Sequence, residues 1–212
     1  VWLTCASTFI GLIWSLFIFG WTLVADEPLS KNITWLVAGD IKLSVGWLVD
    51  NLSAMMLLVV TSVSLLIQVY SHGYMQEDKG YHRFFVYLNL FNFSMLGLVL
   101  SSNLFQVYIF WELVGLSSYL LIGFWFSRPS AAHAATKAFI VNRIGDFGLL
   151  VGILAFLFVS LNWWMQSGDV YLSFTSLAPA AEYVYAAVNP TIYYLIAFAI
   201  FMGPIAKSAQ FP

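Results

Sequence analysis

The stretch "IFWELVGLSSYLLIGFWF", residues 109–126, decides the fold. With the residues before it back to position 104, it is long and apolar enough to cross a hydrocarbon core about 30 Å thick as a single helix. One residue breaks the pattern. Glu112 sits inside the run, where an ionised side chain costs from about 2.5 kcal/mol upward, so its presence asks for a physical reason.

Five further stretches of similar character flank it, at 2–24, 52–70, 84–100, 134–159 and 184–206, and the pattern predicts an all-α polytopic transmembrane helical bundle of about six spans. Composition agrees. Of 212 residues 61% are hydrophobic and 18% aromatic, only 8% are charged, and the mean hydropathy is +0.87, far from the balance of a water-soluble domain. A net charge of −2 offers no basic surface for nucleic acid, so the expected partners are the lipid bilayer, other membrane subunits and protons. The single cysteine, Cys5, excludes an intrachain disulfide and a multi-cysteine metal site. The N-terminal stretch has no basic region or small-residue cleavage site and reads as a span, not a signal peptide.

Between the first two spans, "NITWLVAGDIKLSVGWLVDN" (32–51) alternates polar and apolar residues around a turn-like Ala38-Gly39-Asp40, which predicts a short extramembrane β-hairpin within 25–51. A second extramembrane loop is expected at 160–183, both belonging to one transmembrane domain over 1–212. Lys79, Arg83, Arg128 and Lys137 fall on one side of the bundle and Lys31 and Lys42 on the other. The positive-inside rule then puts "SHGYMQEDKGYHR" (71–83) and "SRPSAAHAATK" (127–137) on the cytoplasm-like side. The end, "MGPIAKSAQFP", breaks off in mid-pattern, as a piece of a longer protein would.

Four charges fall within spans: Glu112, Arg143, Asp146 and Lys207. At helical spacing Glu112 shares or borders a face with Tyr108, Gly115, Leu116, Tyr119 and Gly123, a small-residue seam that allows close helix approach and room for waters. It serves either as a proton carrier or as a structural pin between two helices. In "KAFIVNRIGDFGLL" (137–150) Arg143 and Asp146 are three residues apart and positioned to meet as a pair, either in a functional role or pinning a subunit contact; Asn142 extends that polar face. Lys137, nine residues before Asp146 and near the helix start, points elsewhere and can snorkel to headgroups. In "AFAIFMGPIAKSAQFP" Pro204 removes a helix hydrogen bond beside Gly203, so a kink or break is expected there, with Lys207 just beyond it. A lysine and a carboxylate roughly 7 Å apart at an effective dielectric near 20 interact by about 2.4 kcal/mol. Protonating Glu112 would then weaken a neighbouring lysine's hold on its own proton. His72, His82 and His133 lie in or beside loops, and there is no glycine-rich phosphate loop or Cys-x-x-Cys, so no haem, nucleotide, flavin, metal or iron-sulfur site is expected.

The run from Gly80 to Leu150, with "FWELVG", "KAF" and "NRIGDFGLL" in order, and the ending "AKSAQFP" resemble the antiporter-like subunit 5 of the complex I family, most closely its photosynthetic form in cyanobacteria and chloroplasts. The resemblance covers about 46–212, and by its alignment the six spans from 2–24 onward correspond to the family's second to seventh transmembrane helices. It implies a proton-translocating membrane subunit, a translocase part of an NAD(P)H- or ferredoxin-dependent plastoquinone oxidoreductase. No cofactor is then expected in this chain, with iron-sulfur clusters and plastoquinone in other subunits and a neighbouring antiporter-like subunit as partner. The location implied is the thylakoid membrane, or otherwise a bacterial inner membrane. By this resemblance Glu112 matches the family's essential glutamate and Lys207 its essential lysine on a discontinuous helix, while Arg143, Asp146 and Lys137 match polar positions on the helix between them. The large subunit of a multi-subunit cation/proton antiporter shares much of this charge layout, and a non-transporting scaffold is a third reading.

Overall fold

The computed structural model describes residues 2–25, 27–39 and 41–210. Seven helices and one hairpin follow in the order α1 (Trp2–Thr22), β1 (Leu29–Ala38), β2 (Ile41–Val49), α2 (Asn51–Tyr74), α3 (Tyr81–Val99), α4 (Leu104–Ile122), α5 (Pro129–Ser167), α6 (Leu177–Ala187) and α7 (Pro190–Lys207). Of these α1, α2, α4, α5 and α7 are long and apolar enough to cross a membrane. The expected third span is present as α3, a helix of 19 residues and so about 28 Å long, but its His82, Arg83, Asn89 and Asn92 leave it less apolar than the other five.

The hairpin forms with β1 and β2 antiparallel and a bulge between Thr34 and Leu36. Gly39 turns the chain at φ +62°, a left-handed conformation that glycine adopts without a Cβ penalty. Asp40, the other half of the expected turn, lies outside the described residues, as do the last two residues of "AKSAQFP". Asp50 ends the hairpin and starts α2 with a capping box, its carboxylate accepting from the Ser53 N–H and the Ser53 hydroxyl accepting from the Asp50 N–H.

α1 and α2 are joined by buried hydroxyl and amide contacts, Ser15 to Thr61 at 2.8 Å and Thr8 donating to Gln68 at 3.2 Å. α2 and α3 continue this with Ser64 donating to Asn92 and Gln68 to Asn89. In lipid, where no hydrophobic gradient holds helices together, such bonds and close packing do.

The two ends of the bundle differ. At one, the hairpin, the α3–α4 turn and the loop after α5 are stitched together: Leu48 N–H to Leu100 C=O, Leu104 N–H to Leu172 C=O, Phe174 N–H to Ser102 C=O, and Gly46 N–H to the Gln106 side chain. Asn103 is the central tie. It is 1% exposed, caps α4 by accepting from Gln106 N–H at 2.8 Å and donates to Ser44 C=O at 3.0 Å. Asn103→Ala removes a cap worth about 1 kcal/mol and leaves a buried carbonyl unpaired for about as much again. A loss of about 2 kcal/mol is therefore expected, read as a lower thermal midpoint in detergent; an unchanged midpoint would show that the tie carries no load.

At the other end, Trp125 Nε1–H donates to Asp78 at 2.9 Å and Arg83 donates to Phe124 C=O at 3.3 Å. The Trp125 and Gly80 N–H donors hold the Asp78 carboxyl below the usual carboxylate range. Lys79, Arg83 and Arg128 gather at this end, with Lys31 and Lys42 on the hairpin at the other.

Two expectations need correction. α5 is one unbroken helix of 39 residues, about 58 Å long, and runs eight residues into the stretch expected to be a loop from 160. Trp164 packs there against Tyr171 and Leu172 in the main apolar cluster, and the helix stops only where Gly168 takes φ +72°. The rest of 160–183 is a short loop, a 3-10 turn and most of α6. The expected span at 184–206 is likewise divided: Asn189 caps α7 by accepting from Thr191 N–H, and Pro190, whose missing N–H costs nothing at the first helical position, starts the helix afresh.

Candidate buried charge cluster

The cluster rests on how closely α5 and α7 approach. A Cβ on Gly145 would meet Ala206 Cβ and, at 2.9 Å, Met202 O; one on Gly152 would strike the backbone at Ala199 and Ile200; one on Gly203 would meet Leu149 at 3.0 Å. Gly148 faces Met202 in the same seam. Small residues at these spacings let two backbones pack in direct contact, and that brings the last turn of α7 against α5.

Lys207 ends α7. The helix runs through Pro204, which stands inside it, so the expected break is displaced: the missing Pro204 N–H costs one bond, and the chain turns only after Lys207. There Ala209 N–H donates to Ala206 C=O and Gln210 N–H to Ile205 C=O, the two bonds of a Schellman ending. Ala209 sits at φ +51°, where a non-glycine residue carries strain on the order of 1 kcal/mol.

From this position Lys207 donates to the Trp111 carbonyl and holds its ammonium 4.4 Å from the centre of the Trp111 ring. Trp111 Nε1–H donates to Asp146 Oδ1 at 2.6 Å. Asp146 is 1% exposed, and its Oδ2 has no hydrogen-bond partner among the described residues. Lys207 Nζ and Asp146 Oδ2 flank one point, 3.5 and 3.9 Å from where a Gly115 Cβ would stand. The seam glycine next to Glu112 thus leaves the space into which both charges reach.

Glu112 forms an ion pair with Arg143. Arg143 and Asp146, expected to pair with each other, instead each turn to a different residue of α4. Arg143 finds a countercharge in Glu112 and Asp146 a single indole donor in Trp111, whereas a pair along one helix would leave Glu112 unmatched. The face read around Glu112 is divided too: Tyr108 packs against the apolar cluster of α5 and α6, while Tyr119 lies 5.1 Å from the ring of Phe139. Lys137 is exposed on α5, about 9 Å of helix before Arg143, and takes no part in these contacts. Trp111 was not anticipated from the sequence. Its signal was an indole N–H in mid-span, a donor that a lipid-buried helix cannot leave unpaired, one turn before Gly115.

The arrangement is a short row of ionisable groups on three helices, Glu112 with Arg143, then Asp146 and Lys207, the last two linked by Trp111. Such a row can hold and pass protons without a cofactor. Among the described residues no three His, Cys, Asp or Glu side chains gather as a metal ion would require.

Residues 101–212 match the family described as "NADH:quinone oxidoreductase/Mrp antiporter, TM", and residues 35–85 match "NADH-Ubiquinone oxidoreductase (complex I), chain 5 N-terminus". Among curated proteins, the chloroplastic NAD(P)H-quinone oxidoreductase subunit 5 of Anthoceros angustus is 55% identical over 179 residues, which is 84% of this chain and 24% of that protein. That of Zygnema circumcarinatum is 47% identical over 212 residues, 99% of this chain and 29% of that protein. The chain thus spans about a quarter of the length of these relatives. Among solved structures, a chain of the archaeal membrane-bound sulfane sulfur reductase superposes with a TM-score of 0.76 at 17% identity, over 95% of this chain and 38% of that one. A chain of the Mrp complex from Dietzia sp. DQ12-45-1b superposes with a TM-score of 0.70 at 24% identity, over 95% and 21%. Both share the fold.

Proposed function

The chain belongs to the NADH:quinone oxidoreductase/Mrp antiporter transmembrane family, and on that premise we propose that it is part of the proton-translocating subunit 5 of an NAD(P)H- or ferredoxin-dependent plastoquinone oxidoreductase. The observation that carries the reading is the row Glu112–Arg143, Asp146, Lys207, which spans α4, α5 and α7 where each helix is otherwise apolar. Intramembrane ionisable groups are costly to keep; a row of them that is only partly paired among its own members has proton transfer as its natural use.

Glu112 takes up a proton and loosens its bond to Arg143. The change in charge beside Arg143 is felt three residues on at Asp146 and, through Trp111, at Lys207, which passes its proton onward. The chain itself carries no redox centre in this reading; electrons flow to quinone in other subunits, and neighbouring membrane subunits receive the change in charge. A thylakoid location is supported by the chloroplastic relatives at about half identity. Those same relatives favour the oxidoreductase over a cation/proton antiporter. Co-purification separates the two: hydrophilic iron-sulfur subunits accompany the chain in the first and are missing in the second.

The test of the site is Glu112→Gln in the full complex. Glutamine keeps the size and some hydrogen bonding to Arg143 while abolishing the titration, so assembly is expected to persist and pumping in sealed vesicles to fall roughly tenfold, about 1.4 kcal/mol in barrier. Assembled complex that pumps at the parental rate would remove Glu112 from the proton path and leave the scaffold reading standing.

A further inference from the structure

At the basic end of the bundle, α3, α4 and α5 border a partly open cavity of about 220 Å³ whose wall is more apolar than polar and includes Arg83, Tyr87, Tyr119, Phe124, Phe126 and Thr136. That is room for several waters at about 30 Å³ each, and a guanidinium, two phenol groups and a threonine hydroxyl offer them partners. Moving inward along α5 from Ala132 and Thr136, the next residues on the same face are Phe139 and then Arg143, at helical spacing of three or four. On α4, Tyr119 of the cavity wall lies seven residues, two turns, from Glu112.

One layer separates the cavity from the ion pair. The Phe139 ring is 5.1 Å from the Tyr119 ring on the cavity side and 4.7 Å from the Arg143 guanidinium carbon on the other. The ion pair is not sealed from the side, since the Arg143 side chain is 38% exposed and that of Glu112 20%. In a bilayer, however, sideways exposure meets hydrocarbon or protein. An aqueous approach to Glu112 has to run along the helices, and at this end the Tyr119 and Phe139 rings stand between the cavity and Arg143.

From this geometry we infer that the cavity is a water-filled vestibule for protons from the basic end, and that Phe139 with Tyr119 is the gate between it and Glu112. The cation–π contact gives the gate a reason to follow the charge state. Phe139 is held over Arg143 while the guanidinium stays in place, and when protonation of Glu112 releases Arg143, that contact is loosened with it. The inference rests on the reading of Glu112 as a proton-exchanging group, but its test does not depend on pumping.

In the full complex in vesicles, with Cys5→Ser as background, Thr136→Cys is expected to react with a charged, membrane-impermeant thiosulfonate added on the basic side. Glu112 itself is followed by mass spectrometry during exposure to a water-soluble carbodiimide on that side. Phe139→Ala should speed its modification about tenfold over the parental complex, while Phe139→Leu, which keeps a plug, stays near the parental rate. Tyr119→Ala serves the same purpose as Phe139→Ala should the latter fail to assemble. A Thr136→Cys that stays unreactive in water shows a cavity filled by a lipid tail and overturns the vestibule. Equal carbodiimide rates in parental and opened complexes overturn the gate. Should Glu112→Gln pump normally while both labelling results hold, the proton-path reading fails and the water route survives.

Discussion

In Lys207→Ala, proton translocation by the assembled complex is expected to fall at least about tenfold, ~1.4 kcal/mol in barrier, with a larger effect than any change at Lys137. The reason lies in what the ammonium touches. It donates to the Trp111 carbonyl, lies over the Trp111 ring and shares with Asp146 the space left by Gly115. Alanine removes the charge and leaves Asp146 with the indole as its hydrogen-bond partner. Truncation at the last turn of α7 leaves the glycine seam intact, so the helices should still pack. Trp111→Phe separates the two roles of tryptophan: the ring under the ammonium stays and the indole donor to Asp146 goes, so a defect smaller than that of Lys207→Ala is expected. Lys207→Ala complex that assembles and pumps at the parental rate would place the proton path elsewhere.

Gly145→Ala is expected to weaken the α5–α7 contact by about 2 kcal/mol, within the usual cost of overpacking, and to reduce both the amount of assembled complex and its pumping. The added methyl would meet Ala206 Cβ and the Met202 carbonyl oxygen, and a backbone atom cannot step aside. α7 has to shift, carrying Lys207 away from Trp111. Gly148→Ala is the milder case, because its methyl would meet side-chain atoms of Met202 and no backbone atom: the flexible thioether can move, and the Cβ at 2.9 Å has to give by a few tenths of an ångström. Quantifying assembled complex in the two variants tests the point; equal loss in both would mean that the seam is not limited by backbone contact.

Much of this architecture follows from hydropathy, because a helix that must bury twenty residues in lipid announces itself by composition. The hairpin was legible for a different reason: Gly39 supplies the positive φ that the turn requires. The stretch 160–183 misled because falling hydropathy marks the edge of an apolar environment, not the end of a helix; Trp164 carries α5 onward by packing against Tyr171 and Leu172. At Asn189-Pro190 the signal was present, an N-cap followed by proline at the first helical position, but the apolar residues on both sides masked it. For the site, periodicity identified which residues share a helix face and could not show which face of a neighbour they meet. The spacing of Arg143 and Asp146 suggested that they pair with each other; that each turns to α4 instead depends on how α4 packs against α5, which spacing along one helix does not show.

α5 carries a mechanical consequence. Arg143 and Asp146 ride on one unbroken helix whose far end is anchored in the apolar cluster around Trp164, and they grip adjacent residues of α4, Glu112 and Trp111. They behave as the two prongs of one plug. A small turn of the rod about its axis would shift both prongs together, whereas a change of charge at Glu112 frees only one of them, so rotation of α5 and protonation act on the two contacts in different ways.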